Sequence, residues 1–362
     1  MTDDKDPADY LTRHVQTGGT GLQQQIDALV NASAGKTINA PLYREMILNI
    51  VRMAQADRDR WDAKIMLQTI AELEQAFCRL EIFKRRRKVT VFGSARTPVD
   101  HQLYALARDM GKILARNDYM TITGAGNGIM GAAHQGAGLD NSLGFNITLP
   151  FEQRSNEIVH NTDHDLQFRF FFLRKLFFVK EADALVLCPG GFGTLDETLE
   201  VLTLIQTGKS PVVPVILLDV PGGGFWDGLL TFFKTQMCDE GYILEADFNL
   251  MTLARSPDQA MREILHFYSN YHSSRWADGS YQLRIQRPLS TSAMQQINDQ
   301  FSDICKEGTF QQSAPTLTDP DEPELQEMHR LEFAFTGRHQ GRLRALIDFV
   351  NQAENLENPG NA

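Results

Sequence analysis

Apolar residues recur at helical spacing through the first part of the chain. From Leu22 to Leu80 they return every three or four positions among many charged residues, and the second, longer tract of this kind starts near Pro41. This periodicity predicts amphipathic helices. Residues 1–84 are therefore expected to form a helical extension that packs on the next domain or on a partner subunit, with an independent binding module as the alternative. The first 18 residues are polar and are expected to be loose.

The pattern changes at Val89, where short apolar runs begin to alternate with helical stretches. Such alternation is typical of a parallel, doubly wound sheet. We therefore expect residues 85–270 to form a Rossmann-like α/β domain. Its predicted strands cover residues 89–92, 119–122, 144–149 (ending at Pro150), 184–188, 212–218 and 248–251, and a closing helix runs from an N-cap at Ser256 to Tyr268.

The last part of the chain, residues 271–362, alternates twice between strand and helix patterns. The predicted strands are 281–285 and 330–335, and the predicted helices are 290–305 and 340–353. This weak internal repeat predicts a small α+β extension, with an acidic segment at 319–323 between its halves. Packing or oligomerisation and ligand sensing are both open as roles for the extension.

Three glycine-rich turns follow predicted strands of the central domain. They occupy residues 93–96, 124–131 and 189–197. None is specific alone, and the second does not match the G-x-G-x-x-G spacing of a dinucleotide-binding turn. In an open α/β sheet, however, the carboxyl ends of successive strands converge on one crevice. The three turns are therefore expected to line a common ligand site.

The third turn, Pro-Gly-Gly-Phe-Gly-Thr-Leu-Asp-Glu at 189–197, carries the most chemistry. Its three glycines leave backbone N–H groups open to an anion at the start of the following helix. Thr194 and Glu197 also have the spacing of a capping box, which needs no ligand. Three glycines exceed what a cap requires, so we expect a phosphate cradle. Because a carboxylate would repel the phosphate, Glu197 is expected to face the sugar or base of a nucleotide.

Two cations interrupt the apolar stretch 167–179, which is predicted to be one helix buried on most sides. Arg174 and Lys175 stand within it, and a buried charge is costly unless it is paired. Their partner is either a structural carboxylate or the phosphate and Glu197 of the third turn. We prefer the second alternative, because arginine forms bidentate pairs with such groups.

Charge and cysteine content narrow the class of protein. The formal net charge of -11 over 362 residues argues against non-specific nucleic-acid binding. The basic run 84–88 is expected to be a solvated approach to the first strand, with a polyanionic regulator as the alternative. Four scattered cysteines indicate neither a zinc site nor disulfides, and no segment has the pattern of a membrane span or signal peptide. We expect a soluble, cytoplasmic protein.

Together these motifs resemble the Lonely Guy (LOG) family, whose members are often labelled lysine decarboxylases. The third turn is similar to the PGGxGTxxE signature of that family, Arg174 and Lys175 to its Arg-Lys pair, and the two earlier turns to its other loops. The resemblance covers about residues 85–270. It implies a Rossmann-like fold and a phosphoribohydrolase that splits a nucleoside 5′-monophosphate into free base and ribose 5-phosphate. It calls for no cofactor, and no metal-ligand cluster stands out.

The resemblance also implies residue roles. Arg174 and Glu197 would be the catalytic pair. The residues implied in substrate binding are Ser94, Gly126, Gly128, Met130, Lys175, Gly190, Gly191, Gly193 and Thr194. Short members often carry His-Glu before Arg-Lys, where this chain has Phe172 and Leu173. The base is therefore open between an AMP-like and a cytokinin-type purine nucleotide.

The chemistry of the residues agrees with this assignment. Cleavage of a ribosyl C–N bond builds positive charge on the sugar, which a fixed carboxylate can stabilise while it orients or deprotonates water. No residue stands out as the acid, because His134 reads as a simple helix residue and Asp196 and Glu200 as solvated ones. A non-catalytic nucleotide-binding or sensing protein is the alternative function. The resemblance and the apolar helices after Glu197 lead us to expect a homodimer or larger homo-oligomer.

Overall fold

The computed structural model describes residues 20–35, 37–57, 59–148, 154–277, 279–315 and 325–357. The stretch predicted to be loose, the strand end at Pro150 and the acidic segment 319–323 lie outside these residues. The chain divides into two compact units between Glu74 and Gln75. The three-part division at residues 84 and 270 stays a prediction.

Three helices open the described chain, as the periodicity predicts. They are α1 (Thr20–Ala34), α2 (Ala40–Gln55) and α3 (Arg60–Leu80). Ile26 and Val30 of α1 pack with Leu48 of α2 in a small buried cluster. The tract predicted to start near Pro41 consists of two helices, since α2 ends at Gln55 and α3 begins at Arg60.

Seven strands of the described residues form a parallel sheet in the order β4-β3-β2-β1-β5-β6-β7. The strands are β1 (Lys88–Phe92), β2 (Met120–Thr123), β3 (Ser142–Ile147), β4 (Asp165–Phe168), β5 (Ala184–Leu187), β6 (Val215–Leu218) and β7 (Met251–Ala254). The α-helices between and after them are α4 (Gln102–Arg116), α5 (Ile129–Ala137), α6 (Phe171–Lys180), α7 (Phe192–Gln206), α8 (Phe225–Phe232) and α9 (Pro257–Phe267). The predicted doubly wound α/β core is confirmed, and its strand order reverses between β1 and β5.

Helices cover both faces of this sheet, which explains why its strands are continuous apolar runs. On one face, side chains of α4, α5 and α9 join those of the central strands in a single core. This core includes Val89, Val91, Leu106, Met110, Leu114, Ile129, Ala132, Val186, Ile216 and Ile264. On the other face, Phe178 of α6 lies against Phe92 and Phe145, with ring centroids 4.8 and 5.4 Å apart.

The structure corrects three predicted features of this domain. Gln167 and Phe168 belong to β4, and the helix begins only at Phe171. Pairing with β3 decides this, since Phe168 is the register partner of Ile147. Residues 245–250 form a 3-10 helix, so the last strand is β7 and not 248–251. One side of α6 is open, with Phe172 55% exposed, so the prediction of a helix buried on most sides is wrong for that side.

An antiparallel sheet follows, in the order β10-β11-β9-β8. Its strands are β8 (Tyr271–Ala277), β9 (Ser280–Ile285), β10 (Gln311–Ser313) and β11 (His329–Phe333), and its α-helices are α10 (Thr291–Phe301) and α11 (Gln340–Val350). Both predicted strand–helix pairs are confirmed, whereas β8 and β10 were not predicted. The guanidinium of Arg344 on α11 bonds Glu263 on α9, and this contact joins α11 to the parallel domain. The same guanidinium lies 2.9 Å from Asp348, on α11 itself.

The basic run lies at the amino edge of the parallel sheet, opposite the glycine-rich turns. It leads into β1 as predicted, but its last three cations are paired within the chain rather than solvated. Arg86 bonds Asp118 and Asn141, Arg87 pairs with Asp183, and Lys88 pairs with Glu181, each at 3.3 Å or less.

In the part of the chain that the structure covers, the search for a helix both long and apolar enough to cross a membrane finds none.

Candidate active site

The three glycine-rich turns meet at the carboxyl edge of the parallel sheet, where its strand order reverses. Ser94 of the first turn links the other two. Its N–H donates to the carbonyl of Pro189 at 3.2 Å, and its own carbonyl accepts from the N–H of Ile129 at 3.0 Å. The structure thus brings the turns into one crevice, as the sequence predicts.

Two glycines of the second turn lie close to other parts of the crevice, Gly128 to backbone and Gly124 to side chains. Gly128 has a φ of +63°, and a Cβ there would lie 2.3 Å from the Ser94 carbonyl oxygen. A Cβ on Gly124 would lie 2.1 Å from Nη2 of Arg174 and 2.9 Å from Sδ of Met130. A larger residue does not fit at Gly128, where backbone blocks it, and at Gly124 it would displace the guanidinium of Arg174.

The third turn runs into α7, whose N-cap is Gly191. The N–H of Thr194 donates to the Gly191 carbonyl at 3.1 Å, so Thr194 lies inside the first helical turn. Thr194 is therefore not an N-cap, and the capping-box alternative is wrong. A Cβ on Gly191 or Gly193 would meet nothing within 4 Å, which leaves this side of the turn open to a ligand.

Glu197 is the buried carboxylate of the crevice. The residue is 8% exposed, and its Oε2 is buried without a hydrogen-bond partner anywhere in the described part of the chain. Burial raises the pKa of Glu197 to about 7, and the nearby charge of Lys175 is the largest opposing influence. Buried polar atoms nearly always have a partner, so this oxygen points to a group that binds there.

Lys175 on α6 bridges the carboxylates of α7. Its Nζ lies 2.7 Å from Glu200 Oε2, 2.8 Å from Asp196 Oδ2 and 3.8 Å from Glu197 Oε1. Burial acts to lower the pKa of Lys175, but its hydrogen bonds to Asp196 and Glu200 outweigh this and raise the pKa. Asp196, whose side chain is 62% exposed, is solvated as predicted, whereas the Glu200 side chain is only 33% exposed, and both carboxylates are paired with Lys175.

Arg174 is held by backbone rather than by an acid. Its Nε donates to the Phe145 carbonyl at 2.7 Å and its Nη2 to the Gly124 carbonyl at 3.3 Å. Burial lowers the pKa of Arg174 to about 10, with Glu197 acting in the opposite direction, so the guanidinium stays charged at neutral pH. Among the residues described, no carboxylate forms an ion pair with it. Its positive charge is therefore available to an anionic ligand.

The residues implied as a site thus lie on the three turns and on the facing helices α6 and α7. Gly190 packs tightly between the first and third turns, since a Cβ there would lie 2.1 Å from Thr194 Oγ1 and 2.9 Å from Ser94 N. Gly126 is buried in the second turn, next to the exposed Asn127. The geometry places these residues together, and their roles in binding and catalysis stay predictions.

Sequence reasoning missed Asn156 and the surroundings of His134. Asn156 donates from Nδ2 to the Gly126 carbonyl at 3.1 Å and lies 3.1 Å from His134 Nδ1. His134 is fully buried, which lowers its pKa to about 4. The imidazole is therefore neutral and enclosed at pH 7. No motif or periodicity marks the polar segment that contains Asn156, so nothing in the sequence indicated it.

Comparison with known proteins places this site in a family. Residues 129–264 match a family model described as "Possible lysine decarboxylase". The probable cytokinin riboside 5′-monophosphate phosphoribohydrolase LOG4 of Oryza sativa subsp. japonica is 30% identical over 184 residues, which are 49% of this chain and 76% of that protein. The cytokinin riboside 5′-monophosphate phosphoribohydrolase LOG2 of Arabidopsis thaliana is 37% identical over 99 residues, 27% of this chain and 44% of that protein.

The relatives differ in how much of their own length this chain spans. The chain spans only 40 to 44% of the length of several of them. Among solved structures, the molybdenum cofactor carrier protein from Chlamydomonas reinhardtii is 20% identical over 50% of this chain and 99% of that chain, with a TM-score of 0.35. The match to LOG4 of rice, at 30% identity, extends over 76% of that protein. On that alignment, the chain belongs to the LOG family.

Proposed function

We propose that the chain is a nucleoside 5′-monophosphate N-glycosidase, a phosphoribohydrolase that releases free base and ribose 5-phosphate. The observation that carries the proposal is Oε2 of Glu197, which is buried and lacks a hydrogen-bond donor among the described residues. A ribose hydroxyl or a water molecule would supply that donor. The names of the curated relatives, cytokinin riboside 5′-monophosphate phosphoribohydrolases, support the same reaction class.

The phosphate binds at the third turn. Gly191 and Gly193 leave room beside the first turn of α7, where backbone N–H groups and the helix dipole favour an anion. Arg174 adds a full positive charge that no described carboxylate neutralises. A phosphate in this position pairs with the positive charge of Arg174 and holds the ribose toward Glu197.

Glu197 acts on the sugar. The bond between C1′ and the base nitrogen breaks with its electron pair leaving on the base, which takes up a proton from the solvent. Ionised Glu197 stabilises the positive charge that develops on the ribose. Water then adds its oxygen to C1′ and gives a proton to the carboxylate, which returns it to the solvent. A pKa of about 7 suits this task, because a base is most effective when its pKa lies near the working pH.

The substrate is a purine nucleotide of the AMP or cytokinin type. Incubation of the purified protein with AMP, GMP, IMP, CMP, UMP and a cytokinin riboside monophosphate, followed by chromatography of the bases, tests this directly. Release of a purine base that disappears in Glu197→Ala supports the proposal. Binding of AMP without release of any base would favour the alternative, a nucleotide-binding or sensing protein.

We also propose that the protein is a homodimer or larger homo-oligomer. Exposed apolar residues of α6 and α7 form a surface beside the crevice, the α6–α7 surface: Phe171, Phe172, Leu176, Phe192 and Leu199, which are 44 to 94% exposed. A second copy covering this surface would remove it from water. Light scattering should give at least twice the chain mass, and Phe172→Asp should lower it. Phe232→Asp, at a residue of α8 that is 52% exposed, is the matched control and should leave the mass unchanged.

A further inference from the structure

A buried hydrogen-bond network lies beneath the second glycine-rich turn. It consists of Thr123 at the end of β2, His134 on α5 and Asn156 in the segment before β4, and none of the three is more than 6% exposed. We call it the His134 network. The catalytic mechanism proposed above uses none of these side chains.

The contacts fix which nitrogen of His134 carries the proton. Its Nε2 lies 3.2 Å from the Leu143 carbonyl oxygen and 3.1 Å from Thr123 Oγ1. Because a carbonyl can only accept, we assign the proton to Nε2, which leaves Nδ1 as the acceptor. Nδ1 then receives a hydrogen bond from Asn156 Nδ2 at 3.1 Å, the shorter of its two contacts with this amide, whose Oδ1 lies at 3.4 Å. The neutral ring thus connects the Leu143 carbonyl of β3 to the side chain of Asn156 and fixes the orientation of that side chain.

The network acts on a strained part of the turn. Ala125 has a φ of +60°, a conformation that costs an L residue about 1–2 kcal/mol. Three hydrogen bonds hold it. They run from Ala125 N to Thr123 Oγ1 at 3.0 Å, from Asn156 N to the Ala125 carbonyl at 2.7 Å, and from Asn156 Nδ2 to the Gly126 carbonyl at 3.1 Å.

We infer that His134 and Asn156 are positioning residues that hold the second turn in the shape that receives the nucleotide. The residues after Ala125 include Gly126, Gly128 and Met130, which the resemblance to the LOG family implies in substrate binding, and the inference rests on the proposed function. If the network relaxes, the backbone at Ala125 can leave its left-handed conformation. The turn would then lose its fit to the nucleotide, while Glu197 on α7 keeps its place and Arg174 keeps its 2.7 Å bond to the Phe145 carbonyl of β3.

Two variants remove the network and one preserves it. His134→Phe keeps a ring of similar volume without nitrogens, and Asn156→Ala removes both amide contacts. His134→Gln keeps one donor and one acceptor and should restore function. The matched control is Asn351→Ala, because Asn351 is also a buried asparagine, 5% exposed, whose amide bonds the backbone of Asn270, Tyr271 and Phe267 away from the crevice.

Steady-state kinetics with AMP gives the first comparison. His134→Phe and Asn156→Ala should raise KM about tenfold and change kcat less than about threefold, because ground-state binding is lost while the catalytic pair is intact. His134→Gln should stay within about threefold of the wild type in KM. Asn351→Ala should lower the Tm without changing KM. An unchanged KM in both network variants, or an equal rise in Asn351→Ala, would overturn the inference.

Amide hydrogen exchange gives a comparison that needs no substrate. His134→Phe should speed exchange of the amides of residues 124–130 by about tenfold or more, whereas Asn351→Ala should leave them unchanged. If the wild type releases no base from any nucleotide, the proposed function fails but this experiment still decides whether the network holds the turn. Exchange at wild-type rates in His134→Phe would overturn the inference even in an active enzyme.

Discussion

Two buried charges at opposite edges of the parallel sheet, Lys88 and Glu197, are paired differently. At the amino edge, Lys88 is 3% exposed, and its Nζ lies 3.2 Å from Glu181 Oε2. At the carboxyl edge, Glu197 is 8% exposed, yet its Oε2 has no partner within the described ranges and Lys175 lies 3.8 Å from its other oxygen. One sheet therefore holds a closed ion pair at one end and an open carboxylate at the other.

From this difference we infer that the charges of Lys88 and Glu181 support the fold, whereas the charge of Glu197 is available to a ligand. A buried charge with a close partner offsets its own desolvation, whereas one without a partner destabilises the folded state. Natural proteins keep such unfavourable groups mainly at functional sites. The amino edge should therefore respond to substitution in stability, and the carboxyl edge in activity. The predictions that follow test this contrast in order of their expected effect on base release.

The largest effect is expected for Glu197→Gln. The variant keeps the shape of the side chain but removes the charge that stabilises the ribosyl cation, so kcat should fall by about 100-fold or more.

The stability of the Glu197→Gln protein should increase rather than fall. The raised pKa of about 7 means that ionising Glu197 in the folded protein is costly, so the cost appears as pH rises above about 4.5 and is complete above about 7. The glutamine variant should thus be more stable at pH 8, by up to about 3 kcal/mol, and equally stable at pH 4.

Glu200→Gln is the matched control for that experiment. Glu200 lies on the same helix and bonds Lys175 at 2.7 Å, but it is more exposed than Glu197. We expect its kcat to stay within about threefold of the wild type. Thermal unfolding at both pH values and base release at pH 8 are the measurements. A Glu197→Gln protein that is less stable at pH 8 would show that the carboxylate is paired after all.

Arg174→Lys should have the next largest effect, a loss of about 10- to 100-fold in kcat/KM for AMP. Lysine keeps the charge but cannot donate to the Phe145 and Gly124 carbonyls in the same geometry. The ammonium would turn toward one carbonyl and leave the phosphate. Inorganic phosphate, used as a competitive inhibitor, should bind more weakly to this variant. Unchanged inhibition by phosphate would place the phosphate elsewhere.

A smaller effect is expected from pH itself. Only ionised Glu197 can act as the base, so kcat/KM should fall about tenfold from pH 8 to pH 6 as the carboxyl is protonated with a pKa of about 7. Lys175 lowers that pKa, so Lys175→Met should move the acid limb of the profile to higher pH. The shift distinguishes Glu197 from the phosphate of the substrate, whose own titration the variant leaves unchanged. An acid limb at the same pH in both proteins would assign it to the substrate.

Much of the fold follows from local patterns. Continuous apolar runs predicted the inner strands of the parallel sheet, because those strands are covered on both faces. The pattern failed at β4, where Gln167 and Phe168 precede another apolar run and no turn residue separates strand from helix. It failed again at β8, whose residues are mostly half-exposed and carry no regular alternation. Edge strands depend on their neighbours for definition, and that information is not local.

The parts of the site that consist of backbone, the glycine-rich turns, could be predicted from the sequence. Glycines at the ends of strands indicated where the turns converge, since topology brings those ends together. The partners of Lys175 and Arg174 were not predictable. Whether Arg174 meets a carboxylate or the Phe145 carbonyl depends on how α6 lies on β3, a tertiary contact that the helix sequence does not encode by itself.

The smallest effect on activity is expected at the amino edge, where Lys88→Met should leave kcat within about twofold of the wild type. The same substitution should lower the free energy of unfolding by about 2–4 kcal/mol, because it leaves the buried carboxylate of Glu181 without its closest buried partner. Urea unfolding measures this loss. The double variant Lys88→Met/Glu181→Gln removes both charges and should recover most of the stability, because the cost lies in a buried charge that keeps only the partly exposed Lys180, at 2.5 Å, as its partner in the described part of the chain. If the double variant is as unstable as the single one, packing of the lysine side chain accounts for the loss, and the contrast between the two edges is one of shape and not of charge.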